Sequence, residues 1–244
     1  MILIPSKYYD KKPKYKDYNE IKNYEENEEE GIIKHIICNL PYILITLYRG
    51  NRLFVYISIN FWLSDYLQNT FRENNPSIIF WSYSITMVIS IICGIILGGI
   101  IINQIGGTKS KNIFVSMAIL QFIAVFFGIL SPLSNSVLEF STLMSLYMLF
   151  NSACGIISIS ASFAVMPKNL IGTATGIYSI IVNLIAFLPA PYVYAFIKNF
   201  FQDESYIIIT LMIYSFLGDL ELIIADIYMR VKKIKIHKES EQKL

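Results

Sequence analysis

Arg49, Arg52, Tyr56 and Asn60 are spaced three, four and four residues apart inside a long apolar run. On a helix that spacing makes one polar stripe. An arginine near bilayer depth costs at least about 2.5 kcal/mol on insertion scales, so it faces protein or water and not lipid. Two chemistries fit the stripe. It can line a cavity and attract an anionic group there. Alternatively, the arginines snorkel to the interface or form a structural ion pair, and structural roles are the commoner use of such residues. Asp219 is the partner that depth suggests. Arg49 stands about 12 Å above Pro41, and Asp219 about 14 Å above Tyr228, at the same side of the membrane. Asp219 is therefore expected to pair with Arg49 or Arg52, with proton coupling as the less favoured role. Glu221 and Asp226 are expected to meet the basic run that begins at Arg230.

The surroundings of these residues set the class. Hydrophobic residues make up 55% of the 244-residue chain and charged residues 16%, where soluble proteins average near 25% charged. The charges also crowd the ends. Residues 1–35 carry 7 Lys and 8 acidic residues, ending in the run Glu25 to Glu30, and are read as a polar cytoplasmic tail or linker. Residues 36–228 are read as a membrane domain, and residues 229–244, with 6 basic residues, as a basic cytoplasmic tail. Six apolar segments predict an all-α, polytopic membrane protein with six transmembrane helices. They run over about Leu40–Tyr66, Ile78–Ile102, Ile113–Leu130, Val137–Val165, Leu170–Ile197 and Tyr206–Tyr228. Sixteen basic residues then fall on one side and two on the other, which places both termini in the cytoplasm.

Other chemistry finds no support. Cys38, Cys93 and Cys154 lie far apart and read as buried thiols without disulfide or metal spacing. His35 and His237 sit in the flanks. No hydrolytic, redox or phosphate-loop pattern is present, so neither an enzyme nor a cofactor is expected. The basic residues do not form a nucleic-acid surface. Expected partners are the lipid bilayer and a small-molecule substrate.

Three stretches carry a family resemblance. Between the second and third segments, Gly99, Asn103, Gln104, Gly106 and Gly107 lie in the loop Gly98 to Lys109. This loop resembles the cytoplasmic signature of the major facilitator superfamily of secondary transporters. The glycines fall on the glycine positions, while Asn103 and Gln104 stand where the family has an acid and an arginine. Met166 to Gly172, continuing to Pro189 and Pro191, looks like the tenth-to-eleventh helix region of spinster-like members. Phe61 to Tyr66 is similar to the outer end of their seventh helix. The resemblance implies the C-terminal six-helix half of a major facilitator fold, with the first half missing from this chain or supplied by another. It also implies transport of a small solute, in spinster-like relatives often an amphiphile at endolysosomal membranes; a plasma-membrane location fits equally. Rival expectations are a non-transporting membrane scaffold or remnant, and a homodimeric six-helix transporter of another family. Pro189 and Pro191 are expected to bend or end the fifth helix. The spacings Gly94/Gly98 and Gly172/Gly176, with Ser152, Ala153, Gly155 and Ser158, are expected to bring helices close together.

Overall fold

Asn39 and Asn75 start the first two helices by the same device. Each side chain accepts a backbone N–H of the first turn, from Tyr42 and from Ser77, and a proline follows at the first helical positions. A third start, at Val137, uses Ser136 as the cap, with Glu139 reaching back to the N–H of Asn135, a near form of the capping box. The computed structural model describes residues 36–72, 74–107, 110, 112–167, 170–201 and 204–231. Residues 1–35 and 232–244, with His35 and His237, and Lys109, Lys111 and Lys168 lie outside the described residues, as do the expectations that rest on them.

Six long helical elements follow one another. They are α1 (Leu40–Thr70), α2 (Pro76–Gln104), α3 (Ile113–Leu130), α4 (Val137–Ala164), α5 (Ile171–Lys198) and α6 (Glu204–Val231). Elements α2 to α6 are long and apolar enough to cross a membrane. At 31 residues, α1 is also long enough, but its polar residues keep it below that level of apolarity. It is the helix that carries the arginine stripe. No strand occurs among the described residues.

The packing repeats itself. Helix α1 packs against α5 and α6, and α4 packs against α2 and α3. The other main contacts are α1 with α4 and α3 with α6, and lighter ones join α1 to α2 and α5 to α6. Exchanging α1 with α4, α2 with α5 and α3 with α6 leaves the main contacts unchanged. The directions agree as well. Contacts Tyr42–Ala174, Ser58–Ala190 and Trp62–Tyr194 make α1 and α5 parallel. Contacts Thr86–Ser145 and Gly98–Ala153 make α2 and α4 parallel. Helices α1 and α4 run antiparallel, with Tyr48 at Cys154 and Tyr66 at Phe140. The two three-helix units thus share their main neighbours and run in opposite directions, the pattern of an inverted-topology repeat. Both outer helices, α2 and α5, also break their α register in mid-course, through π-helical turns at Ile85–Ile89 and Asn183–Phe187.

Glycine decides the closest approach. A Cβ on Gly98 would stand 2.6 Å from the carbonyl oxygen of Ala153 and 3.1 Å from its Cα. A Cβ on Gly94 would stand 2.8 Å from the Cβ of Ser152 and closer still to the carbonyl of Leu149. The second spacing behaves differently: a Cβ on Gly172 or Gly176 would meet no atom of another element within 4 Å among the described residues, and both face outward. The expectation of close packing there is corrected, because sequence spacing does not say which way a helix face points.

Candidate functional site

Two neighbours fix the rotation of α1. Gly50 packs on Ile185 of α5, and Arg52 packs on Asn151 and Gly155 of α4. At 100° per residue, the arc between those contacts holds Arg49, Tyr56 and Asn60. All three are half-buried. The stripe therefore lies along one sector of α1, between α4 and α5.

The two arginines have different surroundings. Arg52 is only 5% exposed. One terminal nitrogen donates to Asn151 twice, to the backbone carbonyl and, at 3.0 Å, to Oδ1. The other packs where a Cβ of Gly155 would stand, 2.7 Å away. Arg49 sits over the ring of Tyr178 on α5, with its guanidinium carbon 4.8 Å from the ring centre, a cation–π contact. Among the described residues, neither arginine has an ion pair. Among the described residues, the buried atoms Arg49 Nε, Arg52 Nε, Asn60 Oδ1, Tyr147 Oη and Tyr178 Oη have no hydrogen-bond partner.

Asp219 is not that partner, which corrects the expectation from depth. No ion pair joins it to Arg49 or Arg52, and its Oδ1 has no hydrogen bond. Depth was the wrong coordinate to decide on. The neighbouring Gly218 faces the Tyr48 ring, with Cβ-to-ring distance 3.2 Å, so Asp219 approaches α1 on its α6 side. Arg49 projects about 100° further round, toward α5. A buried carboxylate without a donor is costly to hold. Asp219→Asn is accordingly expected to leave the yield and melting temperature of the purified protein unchanged or raised. Exchanging the charges of Arg49 and Asp219 should restore nothing; a recovery in the double variant would revive the ion pair.

The polar contacts that do join α6 to the bundle were not anticipated. Gln121 Nε2 on α3 donates to Ser215 Oγ at 2.8 Å, while Tyr48 Oη, 2.7 Å from Cys154 Sγ, joins α1 to α4. Asn51 donates to Glu221 at 2.8 Å and accepts from Tyr214 at 3.0 Å. Glu221 thus turns inward to α1 and not to the basic run, whereas Asp226 does meet Arg230, at 2.7 Å. Cys154 is buried, but Cys38 and Cys93 are exposed thiols.

The loop after α2 ends the helix by its two glycines. Gly106 and Gly107 have φ of 91° and 86°. The N–H of Gly107 reaches the carbonyl of Ile102 and that of Gly106 the carbonyl of Asn103, a Schellman ending. Gly99 has open space around it, and the side chains of Asn103 and Gln104 are exposed. Pro189 and Pro191 do not end α5. The wide turn at Asn183–Phe187 absorbs the missing N–H of Pro189, through Leu188 N–H to the carbonyl of Asn183, and the helix resumes at Ala190–Lys198. A separate cavity of about 390 Å³ lies between the end of α1 and the start of α2, near Ser64, Arg72 and Tyr83. It includes none of the stripe residues.

Five helices long and apolar enough to cross a membrane define an integral membrane protein. The family model described as Major Facilitator Superfamily matches residues 3–190, and the chain belongs to that family, whose members are typically secondary transporters of small molecules. No curated protein matches the chain.

Proposed function

We propose that the chain supplies one six-helix half of a secondary transporter, with α1 as its sixth span, and that the α1–α4–α5 sector is one wall of the substrate path. The single observation carrying this reading is the inverted repeat of α1–α3 in α4–α6, because such repeats build each half of a major facilitator transporter. The opposite wall comes from a second six-helix unit, joined to this chain or separate from it. The spinster-like stretches favour the C-terminal half, and the exposed Gly172 and Gly176 leave α5 free for the companion unit to approach. Both termini are placed in the cytoplasm. The regions before and after the membrane domain, residues 1–35 and 229–244, serve as linker and tail. Arg49, Arg52, Tyr56 and Asn60 belong to the wall, Pro189 and Pro191 shape the bend of α5, and Gly99 to Gly107 form the cytoplasmic turn.

Flux in proteoliposomes tests the reading. The 244-residue chain alone should give none, and flux should appear when a companion six-helix unit is reconstituted with it. Robust transport by the chain alone would favour a homodimeric carrier. A companion that binds without restoring flux would favour a scaffold.

A further inference from the structure

The wall holds two guanidinium groups three residues apart and, among the described residues, no carboxylate paired with either. Like charges this close in a weakly polar medium repel, and each is costly to hold there without compensation. Arg52 is tied to α4: one terminal nitrogen donates to Asn151 and the other packs on Gly155, while its Nε has no partner among the described residues. Among the described residues Arg49 is held by the face of Tyr178, an attraction that uses none of its five N–H donors. Its Nε, the Tyr178 hydroxyl and the hydroxyl of fully buried Tyr147 have no partner among the described residues. Arg49 and Tyr178 meet on the α5 side of the sector where the stripe lies.

We propose that Arg49, braced on Tyr178 and backed by the fixed charge of Arg52, is the anion-binding group of the wall, so that the transported solute carries a carboxylate or phosphate. A guanidinium matches both oxyanions with paired donors, which a lysine does not. Arg52 is a positioning residue: it raises the local potential and does not touch the solute. This inference rests on the stripe lining the substrate path.

The test is a charge-selective labelling rate. The full 244-residue chain carries Tyr56→Cys, with Cys38→Ser and Cys93→Ser to remove the exposed thiols, in phosphatidylcholine vesicles. Position 56 lies about 10 Å along α1 from Arg49. Anionic sulfonatoethyl and cationic trimethylammonioethyl methanethiosulfonates are compared, each normalised to its rate with a small free thiol. The anionic reagent should be preferred by at least about tenfold. Arg49→Gln should abolish that preference, Arg49→Lys should keep it, and Tyr178→Leu should weaken it. Equal rates for the two reagents, or a preference that survives Arg49→Gln, overturn the anion site while leaving an accessible wall. Inertness toward both reagents overturns the wall itself, and the anion site with it. Protection of position 56 by sodium benzoate or inorganic phosphate supports a soluble anion. Protection only in vesicles that contain phosphatidic acid supports an anionic lipid. Protection by none of them overturns the proposal.

Discussion

Replacing Gly98 or Gly94 by leucine should abolish the folded protein, seen as loss of the monodisperse peak in detergent. The expectation follows from what the new side chain meets. At Gly98 the first carbon alone would lie 2.6 Å from a backbone oxygen and 3.1 Å from a backbone Cα of α4. Backbone cannot swing aside as a side-chain tip can, so the helices must separate. Overpacking costs about 1–3 kcal/mol in ordinary cores and more when nothing yields. Separating α2 from α4 also opens the Thr86 hydroxyl contact to Ser145, 3.1 Å. Even alanine should be harmful at both positions. The control is internal: a Cβ added at Gly99, Gly172 or Gly176 would meet no atom of another element within 4 Å among the described residues, and alanine there should be tolerated. Equal tolerance at Gly98 and Gly99 would sink the packing account.

The second large effect is expected at the Arg52–Asn151 contact. Asn151→Leu removes a side-chain acceptor from a charged donor and leaves the guanidinium buried, a loss of about 1.5–3 kcal/mol. Arg52→Leu alone removes the charge with its burial cost, so it should be milder and can even stabilise. The double variant should then be more stable than Asn151→Leu, by thermal unfolding in detergent. Simple additivity in this double-mutant cycle would show that the two side chains do not depend on each other.

The helices were legible in the sequence because each is a long apolar run between charged or proline-bearing breaks. Ile113–Leu130 was placed to the residue, and the others within about four residues at either end. The stripe on α1 was legible because its spacing is local. Its partners were not. Asn151 lies 99 positions from Arg52, and Tyr178 has no mark in the sequence that separates it from the other tyrosines. Asp219 shows where such reading stops: counting residues gives height along a helix, while partnership also needs the direction around it. The π-helical turn at Ile85–Ile89 had no sequence sign at all, whereas the one at Asn183–Phe187 had the proline after it. The inverted repeat was almost invisible in residue types, with only the glycine turns to hint at it, because the two units share neighbours and directions and not side chains.

The position of α1 has a consequence for how the molecule is made. It is the first of the six helices to leave the ribosome, and it carries two arginines that each oppose insertion by about 2.5–3.5 kcal/mol. The groups that hold those arginines, Asn151 and Tyr178, are synthesised only with α4 and α5. For most of translation α1 therefore lacks its stabilising contacts, and its final seat in the bilayer forms late, when the second three-helix unit arrives. A ribosome stalled before α4 should leave α1 shallow or outside the membrane, and quality control would meet this six-helix unit first through α1.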